Sequence, residues 1–315
     1  MEYRKLISFG KNSFVVSLPK AWVRANKLVK GDLIYIKENI NNLILHPQLQ
    51  ENSEDKEIVI DVNKKSIRHI QREIIASYIK NYRRIVLVGD EIIDKARQIQ
   101  NVIQNLVALE VMEQTSEKIV AKDFLNMEET DAKNLIKKMD IIIRSMVTDA
   151  KLVFDKDVVD SIKHRDNDLN KLSFLLYRTI QFGFENPGLI LKKQKLNPNN
   201  LLSFWWITYN LEAIGDETKR TARFIKKMKF SKKMKEDFMR IFEKIEQNYL
   251  DIMISFYKSN SETAHLIHER KRGIIKECDE FYEEYHDSRW SGYLVNHLKT
   301  LTTNVHNIGR SIYQY

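Results

Sequence analysis

Cysteine occurs once in the 315 residues, as Cys278. A single thiol excludes a disulfide framework and any cysteine-rich zinc or iron–sulfur site, and it suits a reducing cytoplasm. Glycine (9) and proline (4) are scarce, which calls for long helices with few connections. No apolar run approaches the roughly 18–20 residues of a membrane-spanning helix. Residues 1–10, MEYRKLISFG, lack the apolar core of a signal peptide. Gly89 stands alone, without a glycine-rich phosphate loop. No serine sits in a nucleophile motif, and nothing marks a triad. These absences predict a cytoplasmic protein that is not an enzyme.

What is present is positive charge, unevenly spread. The net charge is +9, a balance that favours polyanionic partners. Residues 1–48 hold eight Lys/Arg against three Asp/Glu, so more than half of the excess lies in the first sixth of the chain. A second basic cluster, Lys226, Lys227, Lys229, Lys232, Lys233 and Lys235, reads as a solvated loop between helices or as a contact for nucleic acid or anionic lipid.

Composition changes twice along the chain. Residues 1–48 carry short β-rich runs at 5–9, 14–18, 33–37 and 43–45, with one short helix at 20–27. Residues 48–56 are polar and suit a linker. Residues 57–122 alternate in a β-α-β-α-β-β order, which predicts a small sheet covered by helices. From 123 to 315 strand patterns give way to apolar steps of 3 and 4, as in Ile136, Met139, Ile143 and Met146, or Leu294, Leu298, Leu301, Val305, Ile308 and Ile312. Each stripe must bury against other helices. Six helices are expected, at about 126–155, 157–185, 198–228, 231–259, 261–285 and 288–314, with one long break at 186–200. Cys278 falls on an apolar stripe with Ile274, Phe281 and Tyr285, so a buried structural role is expected.

The helical region repeats itself. Leu211-Glu212-Ala213-Ile214-Gly215-Asp216 matches Val305-His306-Asn307-Ile308-Gly309-Arg310 at a constant offset, giving repeats of about 126–228 and 231–315. A mid-helix glycine costs about 1 kcal/mol relative to alanine. Its recurrence in both halves predicts close helix–helix approach.

The N-terminal string Ser8-Phe9-Gly10-Lys11-Asn12-Ser13, running to Leu18-Pro19-Lys20-Ala21-Trp22 and then Gly31-Asp32, resembles the AbrB/MazE/SpoVT swapped-hairpin domain over about 45 residues. The resemblance implies an obligate homodimer, because each half-barrel is incomplete without its partner's hairpin, and it implies DNA binding. Arg4, Lys5, Lys11, Lys20 and Arg24 can bring charge to phosphates, and Asn12 and Ser13 can add hydrogen bonds. Some members of this fold mainly dimerise or bind a toxin.

Glu212 and Asp216 are four apart on one helix and share a face. Two such carboxylates either hold a cation between them or pair with Lys219, Arg220 or Arg223. The run from Leu211 to Glu217, with Arg220 and Arg223 after it and Asp166-Asn167-Asp168-Leu169 upstream, resembles the PhoU phosphate-signalling family across about 190 residues. That resemblance implies a divalent or ferric metal ion at Glu212 and Asp216, with Asp166 a further ligand, and a transporter or signalling protein as partner. In the second repeat His306 and Arg310 replace the carboxylates, which argues against a second metal site.

The expected architecture is α+β and multidomain: an AbrB-like barrel module at 1–48, a small α/β segment at 57–122 and a PhoU-like pair of three-helix bundles at 123–315. The expected function is DNA-binding regulation of phosphate homeostasis. Its alternative is an adapter that acts through protein contacts and metal without touching DNA.

Overall fold

The computed structural model describes residues 3–38, 43–48 and 56–312; the side chains of 37, 38, 261, 263, 264 and 266–268 are outside that description. Most of the expected linker, residues 49–55, also lies outside the described residues. The chain divides into two compact units, Met1–Asn52 and Ser53–Tyr315.

In the first unit, β1 (Ile7–Phe9) and β2 (Ser13–Val15) form an antiparallel hairpin with Ile7 opposite Val15. Gly10 opens its turn at φ +70°, a conformation that glycine adopts without steric cost. Helix α1 (Lys20–Ala25) begins directly after Pro19. Strands β3 (Tyr35–Glu38) and β4 (Leu43–His46) make a second antiparallel hairpin. Each hairpin is a separate two-stranded sheet. The expected barrel is therefore not closed within one chain, because the two hairpins share no ladder.

This unit shows no buried core among its described residues. No described residue between 3 and 48 is buried. Leu6, Phe9, Phe14, Val29 and Leu33 are 68–73% exposed. A lone two-stranded hairpin is only marginally stable in water, and apolar surface on this scale calls for cover.

The second unit begins with β5 (Glu57–Asp61), α2 (Ile67–Ile79), β6 (Arg84–Val88), α3 (Ile92–Gln104), β7 (Leu109–Gln114) and β8 (Lys118–Asp123), in the order read from the sequence. The sheet order is β5-β6-β8-β7. Strands β5 and β6 are parallel, which demands the crossover that α2 supplies. Ile70, Ile74 and Tyr78 of α2 and Ile92, Ile99 and Ile103 of α3 form a core with Ile60, Ile85, Leu87 and Ile119.

The helices follow: α4 (Ala132–Leu152), α5 (Val159–Glu185), α6 (Pro187–Gln194), α7 (Pro198–Lys227), α8 (Lys232–Lys258), α9 (Ser261–Tyr285) and α10 (Ser291–Ile312). The apolar stripes read from the sequence are buried in one continuous core. Helix α7 packs on α5 and on α10, joining the two halves. The expected break at 186–200 differs: it contains α6, an eight-residue helix with Pro187 in its first turn. A proline there costs nothing, since that N–H has no helical partner. Two prolines close together masked the short helix. Cys278 is fully buried, as expected, and burial pushes its thiol up to about 12.

One buried ion network ties the α/β segment to α5. Arg178 is fully buried. Its guanidinium donates to both oxygens of Asp123, at 2.9 and 2.7 Å, and to Oδ1 of Asn81 at 3.1 Å. It lies 4.5 Å from the Tyr78 ring centre. Arg83 donates to the same Asp123 carboxylate and to the Leu125 carbonyl.

Gly215 shows why the repeat keeps a glycine in α7. A Cβ there would stand 2.2 Å from Cδ2 of the fully buried Leu169 on α5. Gly215→Ala is expected to destabilise by about 1–2 kcal/mol, overpacking outweighing the gain in helix propensity. Gly273→Ala, in exposed helical surface with nothing within 4 Å, is expected to stabilise by about 0.5–1 kcal/mol. Urea unfolding of both variants checks the opposite signs. Equal effects would remove the close-approach argument.

Candidate functional site

The N-terminal residues singled out from the sequence lie on three adjoining pieces of the first unit. Arg4 and Lys5 precede β1, Lys11 and Asn12 form the hairpin turn, and Ser13 begins β2. Lys20 opens α1, and Arg24 stands in its last turn. All seven are exposed. Among the described residues, Lys5, Lys11, Lys20 and Arg24 make no ion pair. The one acidic side chain described in this unit, Asp32, accepts from the Val29 N–H at 2.7 Å and so serves a local turn. Among the described residues, the charges of Lys5, Lys11, Lys20 and Arg24 have no acidic partner.

The second basic cluster differs. Lys226 pairs with Asp157 at 2.7 Å, Lys233 with Glu284 at 2.7 Å and Lys235 with Asp155 at 3.2 Å. Lys227 lies over the Phe224 and Trp290 rings. Four of its six lysines thus have partners within the fold, and of the six only Lys229 lies in the loop, since Lys226 and Lys227 end α7 and Lys232, Lys233 and Lys235 belong to α8.

The carboxylates of the first repeat come together between α5 and α7. Asp166 is 3% exposed and sits opposite Asp216. The Lys219 ammonium stands between them, 2.6 Å from Asp216 and hydrogen-bonded to Asp166. Arg220 holds the other Asp216 oxygen at 2.9 Å. Pairing of Asp216 with Lys219 and Arg220, one of the two sequence readings, is therefore what the geometry displays. Burial raises the Asp166 carboxyl above its usual value, although Lys219 works in the opposite direction. Glu212 is also raised, by burial first and then by the Asp216 and Asp166 charges. Burial disfavours the Lys219 ammonium, but its two carboxylate hydrogen bonds prevail and lift its pKa.

This donor set, as placed, does not fit a metal ion. The gap between the two aspartates holds an ammonium, and among the described residues no three His, Cys, Asp or Glu side chains are grouped to coordinate one. In the second repeat His306 is buried, whereas Arg310 is exposed and makes no ion pair among the described residues. The next residue of the first motif, Glu217, also has a partner: it accepts from Arg220 and contacts His297 Nδ1 at 2.5 Å.

Sequence reasoning did not find the Arg178–Asp123–Arg83 network. The signal available was weak: an arginine within the otherwise apolar run of α5. Its partners lie 55 and 97 residues away, a separation that no local pattern reports.

Residues 7–54 match the family model described as "Antidote-toxin recognition MazE, bacterial antitoxin". The N-terminal unit thus carries a MazE-like domain. Among solved structures the chain is similar to PhoU from Pseudomonas aeruginosa, at 15% identity and a TM-score of 0.46, over 59% of this chain and 91% of that one. No curated protein matches the chain.

Proposed function

We propose that the chain is a dimeric DNA-binding regulator, without catalytic activity, whose helical region takes up the regulatory signal. One observation carries the reading: among the described residues, the first unit presents Lys5, Lys11, Lys20 and Arg24 without an ion pair and leaves the apolar side chains of its strands exposed. The apolar surface calls for a second copy, because four short strands in two separate ladders cannot bury it alone. The charge calls for a polyanion. Phosphates meet exposed Lys and Arg with release of counterions, which makes such binding strongly salt-dependent. Asn12 and Ser13 at the hairpin turn add uncharged donors beside Lys11.

Phosphate homeostasis as the regulated process rests on the sequence resemblance of the Leu211–Glu217 stretch and on the repeat. A transporter or signalling protein as a further partner has the same basis. Metal at Glu212, Asp216 and Asp166 belongs to this reading only in competition with Lys219.

The test is fluorescence anisotropy on promoter DNA across a salt series. The chain with Arg4, Lys5 and Lys11 replaced by Ala is expected to bind at least about tenfold more weakly, with a log–log salt slope shallower by about 0.9 for each phosphate that is no longer neutralised. Unchanged affinity and slope would refute DNA binding. Light scattering on the same protein reads the dimer, and Phe14→Asp is expected to yield monomer. Genome-wide mapping of bound sites then reports whether phosphate genes are targets.

The description of the matched family, which names toxin recognition, favours one second reading. In it the uncovered strands grip a protein, and the chain is an adapter. A stable dimer with no affinity for DNA, co-purifying with a protein partner, would select it.

A further inference from the structure

A cavity of about 510 Å³ lies where the α/β segment meets the first helical repeat. Asn81, Arg83 and Arg178 line it on one side, and Phe124, Met127 and Phe182 contribute apolar surface. The loops that shape it are fixed by the backbone: the Asp123 N–H donates to the Arg83 carbonyl and the Phe124 N–H to the Ala108 carbonyl, both at 2.9 Å.

The polar groups are not used up by the fold. Two guanidiniums meet a single carboxylate, Asp123, so one positive charge is left over. Glu128 also lines the cavity, but Lys193 neutralises it at 2.8 Å. Arg178 has five N–H donors and directs three of them to Asp123 and Asn81. Arg83 engages through one terminal nitrogen only among the described residues.

Asn81 supplies the independent sign. It is 2% exposed, and its Nδ2 amide is buried with no hydrogen-bond partner among the described residues. The amide cannot simply be turned round, because its oxygen already accepts from Arg178. A buried donor without an acceptor costs about 1–3 kcal/mol. It persists here beside an excess cation and an apolar wall.

We propose that this cavity binds a small organic oxyanion. Its charged head accepts from Arg83, Arg178 and the Asn81 amide, and its apolar body rests on Phe124, Met127 and Phe182. The site is independent of the DNA-binding reading, since none of its residues belongs to the first unit.

Isothermal titration of the full chain with benzoate and with phenyl phosphate tests the proposal, with benzyl alcohol as the neutral counterpart. At least one of the two anions is expected to bind about tenfold or more tightly than the alcohol. Whether benzoate or phenyl phosphate is preferred separates carboxylate from phosphate as the natural head group. Asn81→Asp keeps the oxygen that Arg178 needs and tolerates the backbone φ of +61°, but it replaces the free donor with negative charge. It is expected to weaken the anion at least about tenfold, with cooperative unfolding retained. Should that chain fail to fold, Arg83→Gln reads the same loss at a side chain that is 25% exposed. Binding of neither anion, equal binding of the alcohol, or unchanged binding in the folded variant would overturn the site.

Discussion

Asp123→Asn is expected to destabilise the second unit by about 3–5 kcal/mol, the cost of removing one partner from a buried ion pair. Asp123 is 1% exposed and accepts from Arg178, from Arg83 and from the Leu125 backbone N–H. Without its charge two guanidiniums face each other, and the buried Arg178 is left without a carboxylate. Arg178→Met should cost less, because Arg83 remains to balance Asp123. The double variant Asp123→Asn with Arg178→Met should cost less than the sum of the singles, since it leaves neither member of the pair charged without the other. Urea denaturation of the four proteins measures the coupling. Additive effects would mean that the pair does not join the α/β segment to α5.

Lys219→Met is expected to cost roughly 2–3 kcal/mol near neutral pH, partial solvent access trimming the buried-pair figure. Lys219 is 14% exposed, and it separates Asp166 from Asp216. The loss should depend on pH in a definite direction. Asp166 and Glu212 already have raised values in the fold, from burial first. A carboxyl whose folded value exceeds its unfolded one makes the protein less stable as pH rises between the two, because the unfolded state ionises more readily. Removing the ammonium lifts Asp166 further and widens that window. The variant should therefore be closer to the parent at about pH 5 than at about pH 8. Melting curves at both pH values check this, and a larger deficit at the acidic value would contradict the placement of Lys219.

The same substitution probes the metal expectation. With methionine in place, Asp166 and Asp216 lose their intervening cation, so a hard divalent ion would no longer compete with an ammonium for these two carboxylates. Manganese is then expected to stabilise the variant, by about 2.7 kcal/mol at a hundredfold excess over its Kd, and to leave the parent chain nearly unchanged. Equal binding to both proteins would show that lysine and metal do not compete.

The legible parts of this protein were those governed by local pattern. The helices of the second unit announced themselves through apolar steps of 3 and 4, and the small sheet through its alternation, because burial on one face imposes a period on the sequence. The Gly215 repeat pointed to a close approach, and Leu169 provides it. Helix α6 escaped because it is short and begins with a proline, where capping chemistry rather than periodicity sets the start. For the carboxylates, spacing alone favoured pairing with the basic residues nearby, and it was the family resemblance that raised a cation from outside, since both satisfy the same charge.

The sequence by itself determined the order of the parts: a basic, β-rich front module, a small alternating α/β segment and a long helical remainder. It did so because charge excess and hydrophobic period are properties of composition and order. Only the tertiary structure decided which charges remain free. Lys219, Arg178 and Asn81 owe their roles to partners on other helices or loops, 53 to 97 residues away. Electrostatic energy depends on distance in space and on burial, and neither is written in the spacing along a chain.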